Sequence, residues 1–180
     1  IEVDIVSLKE ILSSIEVSAC LLAGGKSSRM EEDKRFLLYK DKTMMENASK
    51  ALDPFATKYL SLSSVESNIN VENFQNIPDE KPDCGPIGGI VSTLTQSNQP
   101  WTLFVTSDMP FIDKEILDYL VSFRNEPYDA IMFSENKKIK IFPLLLRTNT
   151  SLPAFVQALE SGSFALWKAI ENKMRILELK

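Results

Sequence analysis

The 180-residue chain is predicted to be an α/β protein, a three-layer α/β/α sandwich around a mostly parallel sheet. Three observations carry that expectation. Short apolar runs, VSACLL at 17–22 and WTLFVT at 101–106 the clearest of them, alternate with segments whose apolar residues recur at helical spacing. Glycine or short polar residues follow the strand-like runs, as expected where strands end in loops at the carboxyl edge of a sheet. A 44% apolar and 25% charged composition is that of a globular domain. At this length such a domain buries about 70% of its unfolded surface.

Taken in order, Ile5, Leu8, Ile11, Leu12 and Ile15 fall at near-helical spacing, so residues 1–16 read as a helical extension ahead of one domain at 17–180. Val17 to Leu22 is the first strand. Phe36 to Tyr39 makes a short apolar piece and Lys40-Asp41-Lys42 a turn. Thr43 stands three residues before Glu46, the spacing of a capping box, and opens a helix with Met44, Met45, Ala48, Ala51 and Leu52 on one face. Pro54 ends it. Tyr59 to Leu62 is the second strand, with Ser61, Ser63 and Ser64 as its polar end, and Phe74 to Ile77 is a short strand in a polar stretch. Pro86 suits a first helical turn, with Ile87, Ile90, Val91 and Leu94 behind it. Trp101 to Thr106 is the clearest buried strand, and Asp113 caps a helix carrying Ile116, Leu117, Leu120, Val121 and Phe123. Tyr128 to Phe133 and Lys137 to Leu146 form a hairpin. Ser151 is expected to cap a helix with Leu152, Phe155, Val156 and Leu159; Gly162 breaks it, Phe164 to Ile170 makes another, and Met174 to Leu179 is a last strand.

Composition excludes several classes of function. A net charge of −5 argues against nucleic-acid or anionic-membrane partners, which require a basic face. No run approaches the roughly 18 apolar residues of a membrane span, and the opening IEVDIVSLKE lacks a basic signal-peptide region, so a cytoplasmic location is expected. Cys20, within the first strand, reads as a buried free thiol, and Cys84 as a space-filler. The chain has no histidine, which excludes Ser-His-Asp and Cys-His catalysis and any histidine-bound metal. A metal here is a hard ion held by oxygen, which points to Mg²⁺.

The candidate site begins where the first strand ends. Ala23, Gly24 and Gly25 are followed by Lys26, Ser27, Ser28, Arg29 and Lys34. Consecutive glycines bring no Cβ between backbone and ligand and let successive N–H groups turn toward an anion. The serines add donors and the cations add charge, a combination suited to a polyphosphate. The spacing is neither that of a P-loop nor that of the dinucleotide fingerprint. Downstream, Asp79 precedes the GPIGG segment at Gly85, and Asp108 lies just past the Trp101–Thr106 strand, a common place for a metal ligand or a turn residue.

The stretch LAGGKSSRMEEDK resembles the signature of the molybdenum cofactor (molybdopterin) guanylyltransferases, the MobA-like nucleotidyltransferases, which reads roughly L-A-G-G-x-S-x-R-M-G-x-D-K. The resemblance is carried further by the GPIGG segment and by Asp108-Met109-Pro110, and covers roughly Val17 to Leu120. Glu31 stands where the signature has glycine, Phe142 where the family has a histidine before proline, and no N-x-N-T-P segment precedes Lys180.

The resemblance implies a Rossmann-like nucleotide-binding fold and Mg²⁺-dependent transfer of GMP from GTP to the terminal phosphate of molybdopterin or its molybdenum form. In that reading Leu22, Ala23, Gly24, Gly25, Lys26, Ser27, Lys34, Asp79, Gly85 and Asp108 bind the nucleotide. Arg29 and Lys34 offset charge on the leaving pyrophosphate, and Asp108 holds Mg²⁺. Proteins that insert molybdenum or mature molybdoenzymes are the implied partners. Gly24 favours guanine, because the cytidylyltransferase signature more often reads L-A-A-G. The alternatives are a cytidylyl- or sugar-phosphate nucleotidyltransferase, or a member that binds nucleotide without turnover.

Overall fold

The computed structural model describes residues 16–24, 36–39, 41–63, 69–79, 81, 83–171 and 173–179. The expected extension at 1–15 and the loop from Gly25 to Arg35 lie outside these residues. The elements run β1 (Val17–Leu22), β2 (Leu38–Tyr39), β3 (Lys42–Thr43), α1 (Met44–Ala51), β4 (Thr57–Leu62), β5 (Gln75–Pro78), α2 (Pro86–Gln96) and β6 (Trp101–Thr106). They continue with α3 (Lys114–Ser122), β7 (Ala130–Glu135), β8 (Lys138–Arg147), α4 (Thr148–Glu160), α5 (Leu166–Ile170) and β9 (Ile176–Leu179).

Seven strands form one sheet in the order β5-β4-β1-β6-β8-β7-β9, and β2 and β3 form a separate two-stranded ribbon. β1 pairs in parallel with β4 on one side and with β6 on the other, and β4 with β5. β8 turns the chain round: it is antiparallel to β6 and β7, while β9 is parallel to β7. The sheet is therefore mostly parallel, and its parallel half carries the carboxyl edge where α/β proteins bind ligands.

Every residue of β1 is buried, which is why its sequence does not alternate apolar with polar. The alternation survives in which layer each side chain joins. Val17, Ala19 and Leu21 pack with α1 and α3, through Ala48, Leu52, Leu117 and Leu120. Cys20 and Leu22 pack on the opposite face with Ile87, Ile90 and Leu94 of α2 and Phe155 of α4. Two cores on two faces of one sheet are the three-layer sandwich the sequence predicts.

Local chemistry accounts for most element ends. The Thr43–Glu46 capping box forms in full, with the Thr43 Oγ1 accepting from the Glu46 N–H at 3.1 Å and Glu46 Oε2 accepting from the Thr43 N–H at 2.7 Å. Asp113 Oδ1 accepts from the Ile116 N–H at 2.9 Å at the start of α3. Pro86 occupies the first turn of α2 behind Gly85, whose φ of 61° is open to glycine.

The expected cap at Ser151 is a correction. α4 starts at Thr148, directly after β8, and Ser151 is buried inside it, donating from Oγ to the Asp129 carbonyl at 3.2 Å. The Thr148 N–H bonds the Pro100 carbonyl at 2.9 Å, so tertiary contact to the loop before β6 begins the helix one turn early. Smaller shifts occur at β4, which starts at Thr57, β5, which covers Gln75–Pro78, α5, which starts at Leu166, and β9, which starts at Ile176.

Candidate nucleotide site

Four strand tips converge. After β1, the Ala23 N–H bonds the Ser61 carbonyl of β4 at 2.9 Å, and the Leu22 carbonyl accepts from the Ser107 N–H beyond β6 at 3.1 Å. After β5, the Asp79 N–H bonds the Leu62 carbonyl at 3.0 Å. The backbone at Ala23–Gly24, at Ser61–Ser63, at Asp79 and at Ser107–Asp108 is thus tied into one edge.

Helix α2 brings its amino end to the same edge. Ser18, Cys20 and Leu22 face it at every second residue of β1, and it meets them with Ser97 at its carboxyl cap, Thr93 and Gly89, four residues apart. Four helical residues rise about 6 Å and two strand residues about 6.6 Å, so the registers match over the whole contact. Ser18 and Ser97 hydroxyls lie 2.7 Å apart, and Cys20 Sγ lies 3.2 Å from Thr93 Oγ1. At Gly89 the approach admits no side chain: a Cβ would stand 2.2 Å from Ser61 Oγ and 2.9 Å from a Leu22 methyl. Burial pushes the Cys20 thiol up to about 12, against the lowering effect of its Thr93 hydrogen bond. Cys20 is therefore an inert packing thiol, as expected, and Cys84 is buried as well, with no disulfide.

Asp79 occupies the centre of the edge. Its carboxylate is only 9% exposed, and Oδ1 accepts from the Ser61 hydroxyl at 3.0 Å. The other oxygen looks toward two glycines: a Cβ on Gly24 would lie 3.4 Å from Oδ2, and one on Gly88 would lie 3.5 Å from it. A Cβ at either position would rest in ordinary contact with the carboxylate, and its tight contacts would be with the Ser63 nitrogen at 3.0 Å and the Lys81 carbonyl at 3.1 Å. A buried acceptor flanked by bare backbone at the amino end of a helix suits a flat ligand edge rich in N–H donors.

Asp108 is exposed, two residues beyond β6, with Ser107 buried beneath it. It lines an open groove of about 1080 Å³ formed with the 109–112 loop, α3 and the β7–β8 hairpin. No group of three or more metal-binding side chains occurs among the described residues. A metal at Asp108 would take its remaining ligands from phosphate oxygens and water, the usual habit of Mg²⁺, so the exposed carboxylate fits that ion.

Of the sequence-predicted residues, Leu22, Ala23, Gly24 and Asp79 are brought together, with Asp108 next to them through Ser107. Gly85 is exposed at the cap of α2. Gly25, Lys26, Ser27, Arg29 and Lys34 lie outside the described residues, as do Glu31 and Ser64. Sequence reasoning missed Gly88 and Gly89 as shapers of the site, although the GPIGG spacing was the available signal. It also missed the groove beside Asp108, whose residues come from four separate segments.

Comparison with known proteins agrees with this geometry. A family profile described as the MobA-like NTP transferase domain matches residues 19–175, so the likeness extends well past Leu120, where the sequence resemblance was expected to fade. A protein of Flavobacterium johnsoniae named probable molybdenum cofactor guanylyltransferase is 31% identical over 147 residues, covering 81% of this chain and 76% of its own length. Against this and three further relatives of that name the chain spans 59% to 76% of their length.

Among solved structures, molybdopterin-guanine dinucleotide biosynthesis protein A from Archaeoglobus fulgidus superposes with a TM-score of 0.73 at 17% identity, over 89% of this chain and 82% of that one. Rv0371c of Mycobacterium tuberculosis in complex with manganese superposes with a TM-score of 0.72 at 15% identity, over 91% and 87% of the two chains. At these identities the superpositions establish the fold alone.

Proposed function

The chain belongs to the MobA-like NTP transferase family, and we propose that it transfers GMP from GTP to the terminal phosphate of molybdopterin or its molybdenum form, releasing pyrophosphate. The observation that carries this reading is the slot around Asp79. A guanine edge presents an N1–H and a 2-amino group side by side, and one carboxylate accepts both. Cytosine offers no such pair, and adenine lacks the N1–H. Gly24 and Gly88 bring bare backbone to the carboxylate, and Gly24 is the signature position that favours guanine.

The reaction asks little acid–base work of the protein. An oxygen of the acceptor phosphate attacks the α-phosphorus of GTP, the bond to the bridging oxygen breaks, and pyrophosphate leaves with that electron pair. A phosphate monoester is already largely ionised near neutral pH, since its second pKa is about 6, so no histidine base is required. Alignment and charge neutralisation remain. Backbone N–H groups at Gly24 and Gly25 with Lys26 and Ser27 would hold the phosphates, Ala23, whose N–H is taken by the Ser61 carbonyl, would only line the site, and Arg29 and Lys34 would offset charge on the departing pyrophosphate. Gly85 would let the amino end of α2 approach the nucleotide. Asp108 would hold Mg²⁺, which when bound supplies positive charge to the α-phosphate oxygens. The manganese complex of Rv0371c supports a hard divalent ion in this fold. The same reading makes molybdenum-insertion and molybdoenzyme-maturation proteins its partners, and its soluble nucleotide substrate accords with the cytoplasm. No described helix is long and apolar enough to cross a membrane.

Titration with GTP, CTP, ATP and UTP, followed by a pyrophosphate assay with molybdopterin, tests the assignment. GTP is expected to bind most tightly and to release pyrophosphate only when acceptor is present; equal affinity for CTP would overturn the guanine assignment. Asp108→Asn keeps shape and removes one charge. It is expected to abolish transfer while GTP binding without Mg²⁺ stays within about tenfold, roughly 1.4 kcal/mol. Near-normal turnover by the Asn variant would make Asp108 a turn residue.

A further inference from the structure

Strand β4 divides its side chains between the two layers. Leu60 and Leu62 enter the core with α1 and α3, and Tyr59 packs on the other face with α2. Ser61 lies on the face of Tyr59 and is 1% exposed, a buried hydroxyl where an apolar side chain would suit the surroundings better. Its Oγ donates to Asp79 Oδ1 at 3.0 Å. Gly89 of α2 makes the room for that oxygen, since any Cβ there would stand 2.2 Å from it. A serine on the sheet and a glycine on the helix thus form a socket for one hydroxyl.

Asp79 is fastened twice to β4. Its N–H bonds the Leu62 carbonyl at 3.0 Å, which fixes the main chain, and Ser61 holds one carboxylate oxygen. The second contact matters because the last torsion of an aspartate, which turns the plane of its carboxylate, is soft unless something outside holds it. Two N–H donors side by side on a flat base reach both oxygens only when that plane is aligned with the base. Turned across it, the carboxylate loses at least one of the two hydrogen bonds. Each carboxylate oxygen has two lone pairs, so Oδ1 can serve Ser61 and a base together.

We infer that Ser61 is a positioning residue for base selection: its hydroxyl, seated against the bare Cα of Gly89, sets the plane of the Asp79 carboxylate so that both oxygens meet the N1–H and the 2-amino group of guanine. This role rests on the guanylyltransferase reading of the edge and adds to it the residue that decides whether the 2-amino group counts. Ser61 touches no part of the nucleotide in this arrangement. Inosine triphosphate isolates the effect, because it keeps the N1–H, the ribose and the triphosphate and lacks only the 2-amino group. A hydroxyl that merely filled space would, on removal, weaken both nucleotides alike. A hydroxyl that orients the carboxylate strengthens GTP and leaves inosine triphosphate nearly unchanged.

The test is calorimetric titration of the full chain with GTP and with inosine triphosphate. It compares wild type with Ser61→Ala, Gly89→Ala, Asp79→Asn and the double variant Ser61→Ala/Asp79→Asn. Ser61→Ala removes an atom and adds none, so its fold should be kept; circular dichroism checks every variant. Wild type is expected to prefer GTP by about tenfold or more, the effect of one hydrogen bond to a charged group. Ser61→Ala should bring that preference to about threefold or less, while its Kd for inosine triphosphate stays within about threefold of wild type. Gly89→Ala, which displaces the same oxygen from the helix side, should lower the preference likewise. In the Asp79→Asn background the Ser61 change should alter the preference no further, because Ser61 acts only through the carboxylate. A Ser61→Ala protein that keeps the wild-type preference, or that loses both nucleotides equally, overturns the positioning role and leaves the guanine slot in place. A further fall in the double variant overturns it as well, and a wild-type preference in Gly89→Ala overturns the part given to Gly89. Equal binding of the two nucleotides by wild type overturns the Asp79 slot itself, and with it the role of Ser61.

Discussion

At the scale of single residues, two glycines in the site face different constraints. Gly89 is held by packing: its absent Cβ would stand 2.2 Å from Ser61 Oγ, far inside contact, with Leu22 blocking at 2.9 Å. Gly24 is tight but not closed, at 3.0 Å from the Ser63 nitrogen and 3.4 Å from Asp79 Oδ2. Gly89→Ala is therefore expected to destabilise the fold by about 1–3 kcal/mol, the range for overpacking a core. It should also displace Ser61 and so disturb Asp79. Gly24→Ala should cost about 1 kcal/mol in stability, the low end of that range, yet weaken GTP binding several-fold by setting a methyl against Asp79 Oδ2 where the guanine edge would lie. Urea unfolding and GTP titration of both variants separate the cases; equal stability losses would remove the distinction. In the sequence both positions read alike, as glycine beside glycine. What separates them is α2 lying across β1, a contact between residues far apart in the chain.

Elements were legible where local chemistry decides them and not where long-range contact does. The capping box at Thr43, the cap at Asp113 and the proline at the head of α2 all form as their residues predict. Ser151 misled because a serine before an apolar face looks like a cap, whereas the Pro100 carbonyl and Asp129 dictate an earlier start. Asp129 also fastens the last strand. Its Oδ2 accepts from the Arg175 backbone N–H at 3.1 Å and from Nε at 2.9 Å, and its Oδ1 from Nη2 at 3.0 Å, just before β9 joins β7. These hydrogen bonds hold the Asp129 carboxyl down at about 2, below its ordinary 3.8.

A carboxyl lowered on folding contributes stability above its unfolded pKa, and that contribution is lost as pH falls from about 3.8 through about 2. Arg175 is 62% exposed, so solvent screening reduces the contribution to about 1–2 kcal/mol. Asp129→Asn should lose that amount at pH 7, and its stability should converge on wild type as pH falls through this window. A gap that persists undiminished to pH 2 would mean the loss is packing and not charge.

At the scale of the molecule, the fold class and the nucleotide edge could be read from alternating runs and from one glycine-rich stretch, because both are local patterns. The groove beside Asp108 could not be read, because its walls come from segments that only the reversed strand β8 brings together. One sheet serves both cores, which has a consequence for unfolding. Each β1 residue alternates between the layers, so neither core can lose the sheet without exposing the other. The chain has two tryptophans, and they report opposite sides: Trp101 is buried with the α1–α3 layer, and Trp167 packs with the α4–α5 layer. Thermal melts of Trp101→Phe and Trp167→Phe, each followed through its remaining tryptophan and through circular dichroism, are expected to show coincident midpoints for the two probes within each protein. GTP contacts the tips of β1, β5 and β6 in the proposed site, so it should move both midpoints equally. At about one hundred times its Kd the gain is roughly 2.7 kcal/mol, or about 5–11 °C for a domain of this size. If Trp167 melts below Trp101, or if GTP shifts only the Trp101 signal, the two layers unfold separately and the sheet does not couple them.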